Sequence, residues 1–371
     1  MNDKTNRSLR VIISGGGTGG HIYPAIAIAN ALQKLDNSIE ILFVGAEGRM
    51  EMQKIPEAGF KIIGLPISGI QRRLTLKNLT FPFKLWSSIQ KAKRILSEFR
   101  PQVVVGVGGY ASGPLLYAAT RAGIPALIQE QNGYAGLANK WLADKVQKIC
   151  VAYENMDRYF PKEKLVLSGN PVRGDLKHAN SKRREALTFY RLDGERPIIL
   201  VIGGSLGART INQSVLAKLG LLRQDGIQLI WQTGKFYYQD IRKQLENTDQ
   251  SDIRLCEFIR EMSLAYAAAD VVISRAGALS IAELCLVQKP TILVPSPNVA
   301  EDHQTKNAMA LVQRQAAVLV RDDQAMDMLV NEAVKLVSDR QRRMKLSINI
   351  GKMARPNAAD DIASEVLKLA S

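Results

Sequence analysis

The stretch Ser14-Gly15-Gly16-Gly17-Thr18-Gly19-Gly20-His21 limits this chain more than any other. Five glycines in seven residues let the backbone turn sharply with no Cβ in the way. The apolar run Leu9 to Ile13 before it reads as a buried strand. Tyr23 to Ala29 after it reads as a helix with Pro24 in its first turn. A strand, a glycine turn and a helix N-terminus make an anion site, because the first helical amides have no internal partner. Phosphate or diphosphate binding fits this density of glycine better than a bare βα turn. The glycines alone leave the phosphate compound open.

The length of 371 residues predicts two domains, since single cores stop growing below that size. A hydrophobic content of 46% with 23% charge describes an ordinary globular chain. Cys150, Cys256 and Cys285 are scattered and odd in number, which argues against a disulfide framework or a zinc site and for a reducing compartment. Met1 to Arg10 is polar and charged and does not read as a secretory signal. Pro101 to Thr120 is long and uncharged, but its internal glycines and Pro114 favour strand-loop-helix over a membrane span.

The net charge of +15 is uneven: residues 1–172 carry +10 and the rest +5. Its densest source is the segment from Ile70 to Arg100. There Ile70, Leu74, Leu76, Leu79, Phe81, Phe83, Leu85 and Trp86 are crowded among Arg72, Arg73, Lys77, Lys84, Lys91, Lys93 and Arg94. An apolar wedge with a basic rim suits a surface that dips into an anionic bilayer without crossing it. A core helix with a basic outer face is the other reading. Stacking on single-stranded nucleic acid fits less well, because the apolar residues are mostly aliphatic.

The opening device recurs twice. Val103-Val104-Val105 leads into Gly106-Val107-Gly108-Gly109-Tyr110-Ala111-Ser112-Gly113-Pro114 and a helix to Ala122. Pro197 to Ile202 leads into Gly203-Gly204-Ser205-Leu206-Gly207-Ala208 and a helix over Arg209 to Leu222. Strands are also predicted at Ile39–Val44, Lys61–Leu65, Ala126–Gln129, Val146–Val151, Lys164–Leu167, Ile227–Trp231, Ile253–Cys256, Val271–Ser274, Thr291–Val294 and Ala317–Val320. Strand and helix alternate in each half, so the fold class is α/β with two doubly wound parallel sheets. Gly169-Asn170-Pro171-Val172-Arg173 reads as the linker, and a last helix spans Ala358 to Ala370. The expected division is 1–172 with 356–371 against 173–355.

Polar residues just past a strand, as in Glu130-Gln131-Asn132-Gly133, lie where open α/β sheets place ligands. None of the glycine loops is a Walker A, since no Gly-Lys-Ser/Thr follows. A dinucleotide fingerprint wants an acidic residue ending the next strand, and Gly45-Ala46-Glu47 is only a loose match. Two stretches of the second half narrow the ligand. Ser274-Arg275-Ala276-Gly277 leads into Ala278, Leu279, Ser280, Ile281, Ala282 and Glu283, where helical amides face a phosphate and a carboxylate can accept both hydroxyls of a ribose. Asp302 and Gln304 open another helix; Gln304 can read sugar hydroxyls, and Asp302 can do so or cap the helix.

Taken together, GGGTGGHIYPAIAIA, GVGGYASGP, EQNGYAGLANK, GNPVR, GGSLGA, SRAGALSIAE and EDHQTKNA resemble one family, in its order and over nearly the whole chain. It is the bacterial transferase family that adds N-acetylglucosamine to undecaprenyl-diphospho-muramoyl-pentapeptide. The resemblance implies a GT-B architecture, with two Rossmann-like domains facing across a cleft and the last helix returning to the first. It implies UDP-N-acetylglucosamine as donor, the undecaprenyl-linked lipid I as acceptor and lipid II as product. Peripheral attachment at the cytoplasmic face of an anionic membrane is implied as well, through Leu79, Phe81, Phe83, Trp86, Arg72, Arg73 and Lys84. No nucleic-acid partner is implied.

Position by position, the resemblance puts the donor on Thr18, Gly19, Gly20, Asn132, Arg173, Ser205, Ile259, Ala278 to Glu283, and Gln304. Within that set Ser205 would hold the diphosphate, the Ile259 backbone the uracil, Glu283 the ribose and Gln304 the sugar hydroxyls. Gly16, Gly17, Gly108, Gly109 and Tyr110 would hold the acceptor diphosphate. Some members carry a second Gln where this chain has Thr305, which leaves the division of sugar contacts open. An inverting transfer needs a base on the acceptor hydroxyl. His21 is the first candidate, with phosphate positioning or helix capping as its other reading; Glu130 is the alternative base. No DxD metal motif stands in a suitable place, so no tightly bound metal is expected, with an effect of Mg²⁺ on the charged substrates left open.

Overall fold

A computed structural model describes residues 8–69, 80–299 and 302–371. Arg72, Arg73 and Leu79, with Ile70, Leu74, Leu76, Lys77 and Glu301, lie outside the described residues. The chain divides into two compact units, Met1–Arg173 with Asn357–Ser371, and Gly174–Pro356.

The first unit is built on β1 (Arg10–Gly15), β2 (Glu40–Ala46), β3 (Lys61–Leu65), β4 (Val103–Gly108), β5 (Ala126–Glu130), β6 (Lys148–Val151) and β7 (Leu165–Leu167). All pair in parallel, in the order β3-β2-β1-β4-β5-β6-β7. Continuous apolar runs form these strands because both sheet faces are covered, so no polar face is needed. Val11 and Ile13 face one layer with the helices Gly19–Leu35 and Ala358–Ala370. Ile12 and Val104 face the other, with Phe81–Phe99 and Ser112–Arg121. The last helix therefore packs into the first unit.

The second unit repeats the plan with β8 (Ile198–Ile202), β9 (Gln228–Gln232), β10 (Ile253–Cys256), β11 (Val271–Ser274), β12 (Thr291–Leu293) and β13 (Val318–Leu319). Its parallel order is β10-β9-β8-β11-β12-β13. Each sheet reverses direction once, between β1 and β4 and between β8 and β11. Ligands of open α/β sheets bind outside the carboxyl ends of the strands at such reversals. All three glycine loops and the Ser274–Gly277 turn leave those four strands.

Some local readings change. The first helix begins at Gly19, so Gly19 and Gly20 form its first turn and Pro24 lies deeper than the first turn. The predicted helix over Arg209 to Leu222 breaks at Lys218 into Arg209–Ala217 and Leu219–Gln224. Glu47, the loose dinucleotide match, is exposed and pairs with Lys91 at 2.8 Å rather than facing a ribose site. In Phe81–Phe99 the apolar surface divides. Phe81, expected with Phe83 and Trp86 to face lipid, is partly buried and packs with Leu85 against the core. Phe83 and Trp86 are 77% and 65% exposed.

Candidate active site

At the first reversal the two glycine loops lock together. Gly16 N donates to Gly108 O at 3.3 Å. A Cβ on Gly109 would lie 2.9 Å from the Gly16 carbonyl carbon, and Gly108 and Gly109 both have φ above +90°, so only glycine suits either position. Thr18 precedes the helix in an extended conformation, and its carbonyl accepts from His21 N and Ile22 N. Tyr110 lies over Gly17 and Gly69, half-exposed, with the Arg49 guanidinium 5.8 Å from its ring centre.

His21 stands where the loops meet. Its Nδ1 lies 3.0 Å from Gly16 O. A carbonyl only accepts, so Nδ1 carries the proton and Nε2 keeps its lone pair. The ring lies against Gly108, where a Cβ would approach Nε2 to 2.9 Å. Burial holds the His21 pKa below its ordinary 6.5, against the upward pull of Glu130, the Gly16 carbonyl and Glu51. A neutral imidazole with an available lone pair is the form a general base needs.

Glu130 is arranged differently. Its Oε1 accepts from Asn132 N (3.1 Å) and Asn132 Nδ2 (3.5 Å), and its Oε2 from Gly136 N (3.0 Å) and Asn139 Nδ2 (2.9 Å). Four donors on two oxygens make it the keystone of the loop that carries Asn132. Nearby, Gln131 Nε2 donates to Val107 O at 2.6 Å, and Asn170 Nδ2 donates to Gln131 O at 3.0 Å. The expected linker around Asn170 is thus buried and fastened to the exits of β4 and β5. Arg173 closes the unit with its guanidinium 5.7 Å from the Tyr23 ring centre.

At the second reversal Gly204 and Gly207 turn with positive φ, and Ser205 O accepts from Lys235 N at 3.1 Å. Gly277 precedes Ala278–Val287, whose first turn presents Ala278, Leu279 and Ser280; Ile281 and Ala282 continue it to Glu283. Glu283 is 8% exposed, and its Oε2 accepts the Tyr266 hydroxyl at 3.0 Å. Ile259 N donates to Gln232 Oε1 at 3.0 Å. Gln304 Oε1 accepts from Ser296 N at 2.9 Å, while Asp302 accepts from Thr305 Oγ1 at 2.7 Å.

The structure therefore gathers Gly16, Gly17, Thr18, Gly19, Gly20, His21, Gly108, Gly109, Tyr110, Glu130 and Asn132 in one place within the first unit. Ser205, Ile259, Gln304 and the Ala278–Glu283 turn belong to the second. Sequence reasoning missed Glu51, which accepts from Gly17 N at 2.8 Å and Ala46 N at 3.1 Å. It also missed the clamp made by Arg275, which donates to Val294 O and Pro295 O at 3.1 Å and pairs with Asp322. The Gly-Arg-Met-Glu run after β2 carries no motif that singles Glu51 out.

Known proteins share the sequence and the fold of both units. Residues 11–151 match the glycosyltransferase family 28 N-terminal domain and residues 198–362 its C-terminal domain. A UDP-N-acetylglucosamine–N-acetylmuramyl-(pentapeptide) pyrophosphoryl-undecaprenol N-acetylglucosamine transferase of Cytophaga hutchinsonii is 56% identical over 97% of this chain and 96% of its own. One of the same name from Parabacteroides distasonis is 54% identical over 98% and 99%. The crystal structure of Acinetobacter baumannii MurG superposes with a TM-score of 0.75 at 27% identity, covering 98% of this chain and all of that one. The UDP-GlcNAc 2-epimerase of Neisseria meningitidis, at 15% identity and a TM-score of 0.67 over 97% of this chain and 100% of its own, shares the fold. The chain belongs to glycosyltransferase family 28, in its GT-B group of UDP-N-acetylglucosamine–N-acetylmuramyl-(pentapeptide) pyrophosphoryl-undecaprenol N-acetylglucosamine transferases.

Proposed function

We propose that this chain transfers N-acetylglucosamine from UDP-N-acetylglucosamine to the 4-hydroxyl of undecaprenyl-diphospho-N-acetylmuramoyl-pentapeptide, turning lipid I into lipid II. One observation supports the reading beyond the relatives' names: two interlocked glycine loops stand directly against His21, whose Nδ1 lies 3.0 Å from the Gly16 carbonyl. His21 Nε2 takes the proton of the acceptor hydroxyl as its oxygen attacks the anomeric carbon. The bond from that carbon to the β-phosphate oxygen breaks with inversion, and UDP leaves with the electron pair. An α-linked donor thereby gives a β-1,4 product. Glu130, saturated by its four donors, serves the loop and not the proton.

In this reading Gly108, Gly109 and Tyr110 hold the acceptor diphosphate, with Arg49 as a cation beside Tyr110, while Gly16 and Gly17 shape the loop, their amides being committed to Gly108 O and Glu51. Ser205 and the Ala278–Ser280 amides hold the donor diphosphate and Glu283 the ribose. Ile259 meets the uracil with its carbonyl, because its amide is committed to Gln232. Gln304 offers its amide nitrogen to the sugar, its oxygen being committed to Ser296. Thr18, Gly19, Gly20, Asn132 and Arg173 complete the donor contacts. Helix N-termini and Arg173 neutralise the leaving diphosphate, with no step given to a bound metal. The enzyme works peripherally on the cytoplasmic face of an anionic membrane.

Sugar-labelled UDP-N-acetylglucosamine incubated with detergent-solubilised lipid I tests the reaction. Labelled disaccharide lipid and free UDP, both requiring the acceptor, are the expected products. Acceptor-independent conversion to the 2-epimeric nucleotide sugar would overturn the proposal.

A further inference from the structure

We infer that Glu51 is a positioning residue for this reaction: its buried carboxylate ties the first glycine loop to the end of β2 and lays a negative charge beneath His21. The inference rests on the reading of His21 as the base. Glu51 opens the helix Glu51–Glu57 and is 1% exposed. Its place looks electrostatically wrong, because a carboxylate under an anion-binding loop repels the ligand and occupies an amide the loop could offer. The packing shows that the placement is built in. A Cβ on Gly45 would come within 2.6 Å of Glu51 Cγ, and one on Gly16 would overlap the carboxylate itself. Two glycines, one on each tied segment, leave the space that this side chain fills.

Its two oxygens have separate tasks. Oε2 accepts from Gly17 N at 2.8 Å, at a residue whose φ of +85° sets the turn. Oε1 accepts from Ala46 N at 3.1 Å, at the end of the neighbouring strand. The bond at Gly17 fixes the loop whose Gly16 carbonyl orients His21 Nδ1. The charge then acts on the imidazole. Around His21 stand Glu51 from this helix, Glu130 from the end of β5, the Gly16 carbonyl and the Thr18 hydroxyl, with Arg49 at Tyr110 and Arg173 at Tyr23 as the cations at the rim. Burial alone would leave a weakly basic imidazole; the two carboxylates restore part of its basicity. A base must keep enough proton affinity to act, and it gains that here without a direct carboxylate partner that would lock the proton.

The test compares pH profiles of kcat/KM for the wild type, His21→Ala, Glu51→Gln and Glu51→Asp. The wild type is expected to show an acidic limb below pH 6.5, since burial holds the His21 pKa under its ordinary value. Loss of the limb in His21→Ala supports the base; its survival there removes the base reading on its own. With the base in place, Glu51→Gln removes one of the charges acting on His21 and moves the limb down by roughly 0.5–1 pH unit. It also lowers kcat/KM by about tenfold or more, as expected of a displaced group. A folded Gln variant whose limb stays at the wild-type pH overturns the inference. Glu51→Asp keeps the charge but shortens the reach, so its limb stays in place while acceptor KM rises. An Asp variant with wild-type acceptor KM, or with a shifted limb, overturns it equally.

Discussion

Glu283, proposed to meet the donor ribose, is held in place by the fold itself. It lies on the sixth residue of the Ala278–Val287 helix, nearly buried, and the hydroxyl of the buried Tyr266 donates to its Oε2. A carboxylate held this way gives up little rotamer freedom when a ribose binds. Glu283→Ala is expected to weaken UDP binding by roughly 1.5–3 kcal/mol, the worth of a charge-assisted hydrogen bond. Calorimetry on the folded variant reads this directly, and an unchanged UDP affinity would remove the ribose role. His21 and Glu283 were legible as candidates because each follows a glycine turn that leaves an apolar strand, and Glu130 because it opens the polar run at the end of one. Glu51 was not, because its partners Gly17 and Ala46 come together only once β1 and β2 pair. Nor could the sequence separate His21 from Glu130 as base. The proposed choice of His21 rests on the donors around Glu130, drawn from Asn132, Gly136 and Asn139, which meet its carboxylate only in the folded chain.

Among the elements, strands were the easiest to read and helix limits the hardest. A strand covered on both faces is a continuous apolar run bounded by polar residues, and where the glycine loops leave, pairing carries the strand past that run, to Gly15 in β1 and Gly108 in β4. The first helix could not be distinguished from the glycine loop that feeds it, since Gly19 and Gly20 fit either state. The break at Lys218 has no glycine or proline at its own position to announce it. What holds the third glycine loop was equally hidden. Asn212, on Arg209–Ala217, accepts from Trp231 Nε1 at 3.0 Å and donates to Thr233 O at 2.9 Å, so the helix after the loop is pinned to the end of β9. All three groups are buried. Asn212→Leu keeps the volume and strands two buried partners, so a loss of about 2 kcal/mol or more is expected in urea unfolding. UDP affinity should fall with it, because Lys235 N reaches Ser205 O from the same exit of β9. A variant as stable as the wild type would show that the pin is dispensable.

For the whole molecule, the open question is how the chain meets a lipid-linked substrate. Among the described residues no helix is long and apolar enough to cross a membrane. The first unit nevertheless exposes large apolar side chains beside cations. Phe83 and Trp86 project from the start of Phe81–Phe99 with Lys84 between them, while Phe81 and Leu85 turn to the core. Leu137 and Trp141 are exposed on Leu137–Leu142, and Lys145 lies 4.0 Å from the centre of the Trp141 indole. Exposed aromatics flanked by lysines suit the interface of an anionic bilayer, where the ring enters and the ammonium stays at the headgroups. The double variant Phe83→Ser, Trp86→Ser should bind anionic vesicles more weakly. Each lost aromatic contact is worth up to roughly 1.5–3 kcal/mol if the ring is fully buried in lipid. UDP affinity should not change, and the melting temperature should stay near that of the wild type because neither ring is in the core. Phe81→Ser is the internal contrast: it removes a core contact and should lower the melting temperature first. The charged part is tested by salt, since raising ionic strength from 0.05 to about 0.5 M screens headgroup attraction and should weaken the wild type. If the double variant holds vesicles as tightly as the wild type, this face does not dock the enzyme and the lipid substrate must be met elsewhere.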